Sequence, residues 1–248
     1  MRGTARFSLP PIALALLVAS CSMTSPPPPD YAAIVAAPDR SAADRQNDKR
    51  RDPTQLLAFT GVRPGWKVID MAAGAGYSTE LMARGAAPGG VVYAQNPPGA
   101  LPRAVDALKA RMQHPAMSDV IPDTRPFDDP VPPGVDNLDL ITFFFGYHDT
   151  TYMANVDRAK MDRAMLNALK PGGTLVVADY AAAPGAPITT GKQYHRLDEA
   201  IEKREIEAAG FKLVDEGMFL RNPNDTHDFV IFNAKIPIDI YVLKFQKP

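Results

Sequence analysis

The period of the hydrophobic positions changes several times along the chain and maps a succession of strands and helices. From Gly61 onward, short apolar runs alternate with helical patterns. Trp66 to Met71 follows the Pro64-Gly65 turn and reads as a buried parallel strand. Thr79 to Arg84 predicts a short helix closed by Gly85, and Pro88-Gly89-Gly90 turns into a second strand, Val91 to Gln95. Leu101 to Met112 has a helical pattern, with Ala104, Leu108 and Met112 on one side. The proline-rich stretch from Pro122 to Pro133 reads as loop, and Asp139 to Phe145 as the next strand. Val156 to Leu169 predicts a helix with Met161, Met165 and Leu169 facing the core. Pro171-Gly172-Gly173 then leads into the strand Thr174 to Asp179. A helix from Asp198 to Ala209 stops at Gly210, and Phe211 to Val214 and Ile238 to Phe245 close the chain as strands, the last an edge or antiparallel one. Such alternation predicts one doubly wound α/β domain, with no internal repeat.

Ahead of that domain, Tyr31 to Phe59 reads as helical in pieces. Helix starts are marked by Asp39-Arg40-Ser41 and Asp52-Pro53, and Gln55 to Phe59 supplies an apolar face. The dense charge from Asp44 to Asp52 is expected to be a solvated face. Residues 22–30, SMTSPPPPD, form a tether of extended polyproline geometry.

The N-terminus has the form of an address label. Arg2 and Arg6 precede the apolar run Ile12 to Ala19 with no acid between them. That run is too short for a bilayer core of roughly 30 Å, which takes about 20 apolar residues, so it reads as a secretory signal. Val18-Ala19-Ser20-Cys21 resembles the lipobox of bacterial lipoproteins, with Cys21 acylated after cleavage; the alternative is a free thiol in a flexible terminus. Ser22 in place of aspartate leans towards the outer membrane by resemblance to enterobacterial sorting rules. The expected division is a signal at 1–20, a tether at 21–30, a helical segment at 31–60 and the α/β domain at 61–248. Contact with the membrane is expected through Cys21 only, on a periplasm-facing lipoprotein.

Composition narrows the remaining classes. The 248 residues are 46% hydrophobic and 22% charged, enough for one sizeable core. A formal charge of -1 with scattered Lys and Arg argues against a nucleic-acid footprint. Cleavage before Cys21 would leave 25 basic against 28 acidic side chains, a net -3. Cys21 is the only cysteine, which excludes an intramolecular disulfide, and the four histidines lack metal-ligand spacing, so no metal is expected. No feature of the chain sets an oligomeric state.

The chemistry concentrates in one stretch, Val68 to Ala83, VIDMAAGAGYSTELMA. Asp70 ends the first strand, and Gly74 and Gly76 let the backbone turn tightly and a ligand approach it closely. A dinucleotide site would want a third glycine where Thr79 stands, which disfavours a dehydrogenase, and no Gly-Lys-Ser/Thr is present for a P-loop. Three further stretches accompany it: Val92 to Asn96, Leu138-Asp139-Leu140-Ile141 running into Phe145-Gly146-Tyr147-His148-Asp149, and Ala168 to Asp179 with its Lys-Pro-Gly-Gly turn.

Together these resemble the class I S-adenosylmethionine-dependent methyltransferases over roughly Gly61 to Pro248. The exported predicted methyltransferases of bacteria are closest in look, through GYSTE, YHD, KPGG, HR-D and LRNP-like segments. The resemblance implies a mostly parallel seven-stranded Rossmann-like sheet and S-adenosyl-L-methionine as cofactor. It implies contacts to that cofactor from Asp70, Ala72, Gly74, Gly76, Asn96 and Asp128. Ala72 replaces a glycine common in that loop, and Asn96 replaces the usual acidic ribose partner. The acceptor is expected to be a small molecule. His148, Asp149, Tyr180 and His195 are the candidates for an acceptor-side base; His148 has an orienting hydrogen bond as its alternative, and His195 a capping or lid-bracing role. Leu220 to Asp225 is either part of a substrate lid or a solvated turn. Export and a cytoplasmic donor conflict, and three resolutions stand: donor reaching the envelope, a non-catalytic binding or scaffold module, or a failed signal.

Overall fold

A computed structural model describes residues 1, 3 and 26–248 of the chain. The signal and lipidation readings, Cys21 included, lie outside the described residues. The elements run in order α1 (Tyr31–Ala36), α2 (Ala42–Arg51), α3 (Pro53–Thr60), β1 (Lys67–Met71), α4 (Tyr77–Ala86), β2 (Val91–Asn96), α5 (Pro102–Arg111), β3 (Val120–Thr124), β4 (Leu138–Phe144), α6 (Tyr147–Thr150), α7 (Arg158–Ala168), β5 (Leu169–Tyr180), α8 (Thr190–Tyr194), α9 (Glu199–Ala208), β6 (Lys212–Gly217) and β7 (Ile240–Gln246).

The strands form one seven-stranded sheet in the order β3-β2-β1-β4-β5-β7-β6. β1, β2, β3, β4 and β5 pair in parallel, and β7 runs antiparallel between β5 and β6. Alternate residues of the central strands enter two cores. Val68, Val92, Leu140 and Val176 pack with Leu56 and Leu57 of α3 and Leu81 and Met82 of α4 on one face. Ile69, Met71, Ile141 and Phe143 pack with Met161 and Met165 of α7 and Ile206 of α9 on the other. Burial on both faces is why these strands read as continuous apolar runs. The strand order reverses between β1 and β4, so the segments following them open side by side at the carboxyl edge, where ligands bind in such sheets.

Several local readings change. β3 was expected as loop because of Pro122, yet Pro122 pairs with Ala94 of β2. β3 is an edge strand, the one place in a sheet where a missing N–H costs no ladder bond. Gly85 does not close α4, which runs on to Ala86. A Cβ at Gly85 would come within 2.5 Å of Val62, so the glycine is there for close packing of helix on loop. The charged α2 is solvated on one side only: Arg45, Lys49 and Arg50 are exposed, but the opposite side turns inward. Asp44 is buried and accepts from both Arg111 Nη1 and Nη2 at 2.7 and 2.9 Å, while Asp48 accepts from Arg40 and from the Tyr77 hydroxyl. Helix starts at Ser41 and Asp52 are as expected, each side chain accepting from the backbone N–H three residues on.

Candidate functional site

Between β1 and α4 the backbone takes three left-handed turns, at Ala72 (φ 53°), Gly74 (φ 56°) and Gly76 (φ 84°). The two glycines tolerate this freely; Ala72 adopts it at a cost. Among the described residues, chain neighbours apart, the only heavy atom within 4 Å of an imagined Cβ at Gly74 is the Ala72 carbonyl oxygen at 3.8 Å, so that side of the loop is open. Around Gly76 the space is filled by Leu108 and Arg111 of α5. α4 begins at Gly76 with no side-chain cap, leaving its first N–H groups unpartnered by any cap.

The polar residues of this loop mostly hold the protein together. Asp70 is fully buried and accepts from Ser78 Oγ (2.8 Å), Thr79 Oγ1 (2.6 Å) and Thr142 Oγ1 (2.8 Å), tying β1 to α4 and β4. Burial raises its pKa against the pull of those three hydroxyls. Thr79, standing where a dinucleotide site has its third glycine, serves this network. Asn96 accepts from Gly74 N at 2.8 Å and donates to Gly74 O at 3.2 Å, so both ends of its amide brace the loop. A carboxylate could not make the second bond. Gln95 caps the Ala72 N–H in the same way. Asp128 stands apart from the loop and pairs with Lys160 of α7 at 3.2 Å. Its neighbour Phe127 is buried against Phe143.

At the ends of β4 and β5 the four acceptor-side candidates come together. Phe145 (φ 61°) turns the chain sharply after β4 and starts α6 through Gly146. His148 is buried, with Nδ1 2.7 Å from Asp179 Oδ1 and its backbone N–H donating to Asp179 Oδ2 at 2.8 Å. Its Nε2 is 3.1 Å from Asp149 Oδ1. His195, at the left-handed end of α8 (φ 55°), brings Nδ1 to 3.3 Å from the same Asp149 oxygen. The Tyr152 hydroxyl also donates to that oxygen. Burial by itself would depress the His148 pKa; Asp179 and Asp149 outweigh it and lift the value to about 10. Asp149 moves down, burial being overcome by His148, Tyr152 and His195. The Tyr180 ring lies 5.0 Å from Phe145 and 5.9 Å from His148, and burial raises its hydroxyl pKa.

Beside this cluster opens a cavity of about 890 Å³. Its walls are Phe145 and Tyr180 from the sheet edge, Lys49 to Arg51 of α2 with the following Asp52, and Phe219 to Asn222, Ile231, Phe232, Ala234 to Ile238 and Ile240 along the stretch from β6 into β7. The Leu220-Arg221-Asn222 turn is thus cavity wall rather than solvated loop. It is held by Arg221 pairing with Glu199 and by Asn222 N donating to Asp239 at 2.8 Å. Arg196, between α8 and α9, forms a fully buried pair with Asp225 of the same stretch at 2.9 Å.

With this geometry in place, comparison with solved structures decides the architecture. A S-adenosylmethionine-dependent methyltransferase from Aquifex aeolicus superposes with a TM-score of 0.59 over 88% of this chain and 99% of its own, at 16% identity. The fold is that of the class I methyltransferases. Fibrillarin of Aeropyrum pernix, solved with natively bound S-adenosyl-L-methionine, gives a TM-score of 0.53 at 14% identity over 77% of this chain and 73% of its own. In sequence, the chain is 33% identical over 188 residues to the ubiquinone/menaquinone biosynthesis C-methyltransferase UbiE of Idiomarina loihiensis. That match covers 75% of this chain and 65% of the relative, just under two thirds of its length. No family model matches the chain.

On the class I methyltransferase fold, two participants escape a reading of the sequence. Arg51 places its guanidinium 4.3 Å over the Phe145 ring and 5.3 Å over Tyr77, between loop and cavity, and burial lowers its pKa. In the sequence it is one charge in a charged run. Phe232, 75% exposed, sits 4.9 Å from His195 and lines the cavity; in the sequence it is one more apolar residue in the run Phe229-Val230-Ile231-Phe232.

Proposed function

We propose that this chain is an S-adenosyl-L-methionine-dependent methyltransferase acting on a small, amphipathic, anionic acceptor. The observation that carries the reading is the open backbone at Gly74, at the carboxyl end of β1, adjoining a cavity at the ends of β4 and β5. The residues present fit the cofactor at the backbone level. Gly74 leaves room for close approach, and the uncapped first turn of α4 would hold a carboxylate through free N–H groups. Asn96 retains one N–H and one lone pair for a hydroxyl; Asp70 acts behind the loop by fixing α4. When bound, the cofactor supplies an activated methyl group, so the protein's task is chiefly alignment.

Alignment falls to the cavity. Phe145, Tyr180, Phe219, Ile231 and Ile240 offer apolar surface, and Lys49, Arg50, Arg51 and Lys235 crowd positive charge at its rim. An aromatic or aliphatic body with an acidic group suits such walls. The Idiomarina loihiensis relative, a C-methyltransferase of ubiquinone/menaquinone biosynthesis, is consistent with an apolar acceptor. Tyr180 lines the cavity directly, and His195 adjoins it through Phe232. The lipobox adds a location to the proposal: a lipoprotein tethered at Cys21, facing the periplasm at the outer membrane. A Cys21→Ala chain that still partitions with membranes would overturn that part.

Calorimetry of the full chain with S-adenosylmethionine and with its demethylated product tests the central reading. Micromolar binding of both is expected. No heat of binding at millimolar donor would end the enzyme proposal.

A further inference from the structure

The cluster at the ends of β4 and β5 has a chemistry that methyl transfer does not require. Asp179 fixes the His148 ring through Nδ1 and fixes its backbone through the N–H, so Nε2 is the nitrogen aimed outward. That nitrogen and His195 Nδ1 converge on a single oxygen, Asp149 Oδ1, at 3.1 and 3.3 Å. The two rings meet at 83°, so their lone pairs approach from different directions. With both rings deprotonated, two imidazole nitrogens and a carboxylate oxygen present lone pairs to one locus, which the single Tyr152 hydroxyl proton, donated to Asp149, does not neutralise. We propose that His148, Asp149 and His195 bind one divalent transition-metal ion through Nε2, Oδ1 and Nδ1.

Three observations support an ion rather than protons alone. The three ligand atoms all lie within 4.8 Å of one another. Bonds of about 2.0–2.2 Å span that separation after sub-ångström closure. Asp179 behind His148 is the carboxylate–histidine arrangement that orients metal-bound imidazoles. The outer side is open, with the Asp149 side chain 38% and that of His195 27% exposed, leaving positions for solvent or an acceptor oxygen. Two imidazoles and a carboxylate suit zinc, iron, cobalt or manganese better than magnesium or calcium. Among the described residues this set spans the sequence from 148 to 195, so no local ligand spacing announces it, and the proposal departs from the expectation of a metal-free protein. Phe232 joins the site to the cavity, where the ion would polarise an acceptor oxygen.

Metal binding is tested without donor or acceptor, so its failure is separate from failure of the methyltransferase reading. The full chain, lacking any histidine tag and freed of metal by chelation, is titrated with cobalt(II) alone and, separately, with zinc(II) in competition. One equivalent with ligand-field absorption bands is expected. Asp149→Ala and His195→Asn, the latter chosen because asparagine tolerates the left-handed backbone, should each weaken binding at least about 100-fold. Asp179→Asn should weaken it about 10- to 100-fold. His114→Ala, distant from the cluster, should bind as the parent does. Thermal unfolding of each variant separates lost ligation from lost fold, and Asp149→Ala, an exposed-side change, serves if His195→Asn does not fold. Binding below about a tenth of an equivalent at millimolar metal, or equal affinity in folded Asp149→Ala, overturns the proposal and leaves a proton-bridged cluster.

Discussion

The two halves of the carboxyl edge handle buried charge in opposite ways. Beneath the glycine loop the carboxylates are all partnered: Asp44 and Glu80 share Arg111, the half-buried Asp48 pairs with Arg40, and Asp70 accepts three hydroxyls. Behind the His148 cluster, the buried Asp162 and Glu202 have, among the described residues, hydroxyl partners and no salt bridge. Asp162 accepts from the Tyr147 hydroxyl at 3.0 Å, and Glu202 from the Tyr241 hydroxyl at 2.5 Å. Among the described residues, the second oxygen of each has no partner. One half is a scaffold of ion pairs and hydroxyl-capped carboxylates. The other holds protons that the solution can remove, within reach of the groups that face an acceptor.

Removing the central cation of the first half should have the largest effect. Arg111 also donates Nε to the Ala75 carbonyl at 2.9 Å, so it joins α2, α4 and the loop. Arg111→Met would strand Asp44 and part of Glu80 as buried charge, a loss of about 3–5 kcal/mol. Urea unfolding should show a lower midpoint with an unchanged slope. A loss under about 1 kcal/mol would mean that this half is not built on its ion pairs.

The second half should answer to pH instead. Burial lifts the Asp162 pKa to about 7 despite the Tyr147 hydrogen bond, with Glu205 adding to the shift. An unfolded aspartate titrates near 3.9, so from about pH 4 to 7 the folded chain holds a proton that the unfolded chain has released. Stability from this group is therefore complete below about pH 4 and is lost as pH rises through 7, by at most about 1.4 kcal/mol per unit. Asp162→Asn, which mimics the protonated form, should match the parent near pH 4 and exceed it by up to about 4 kcal/mol at pH 8. Parallel stability curves for the two chains would show that Asp162 is ionised throughout and would erase the contrast.

This contrast also explains what could be read from residues alone. Strands buried on both faces and glycines at strand ends are local patterns, so the sheet and the loop were legible. β3 was not, because Pro122 carries a loop signal that only an edge position cancels. Nor was the buried face of α2, since the partner that desolvates Asp44 stands 67 residues away at Arg111. The acceptor side is assembled from His148, Asp179, His195 and Phe232, which meet only through topology. His148 and His195 stand out one by one through their local context, but Asp179 and Phe232 gain their part only from that meeting.

Arg51 lies where the halves meet and offers a finer test. Its guanidinium is stacked on Phe145 and Tyr77, facing the cavity with Asp70 behind it. Arg51→Met keeps much of the apolar contact and removes the charge. Binding of anilinonaphthalene sulfonate, a probe with an apolar body and an anionic head, should weaken about tenfold, the about 1.4 kcal/mol of one partly desolvated charge contact. Unchanged fluorescence titrations would place the anion-attracting charge elsewhere on the rim, on Lys49, Arg50 or Lys235.

Ala72 gives the smallest and sharpest comparison, because it is where the loop touches the other half. Its φ of 53° is unfavourable for any side chain, and its methyl lies 3.0 Å from where a Cβ on Gly146 would stand. Left-handed geometry costs an alanine about 1–2 kcal/mol, whereas glycine costs about 0.4–1 kcal/mol in unfolded-chain freedom. Ala72→Gly should therefore be neutral to about 1 kcal/mol stabilising in urea, although it deletes a partly buried methyl. A clear loss of stability would instead make that methyl a packing element between the halves, with the left-handed turn at residue 72 held in place by contact with the segment that carries His148.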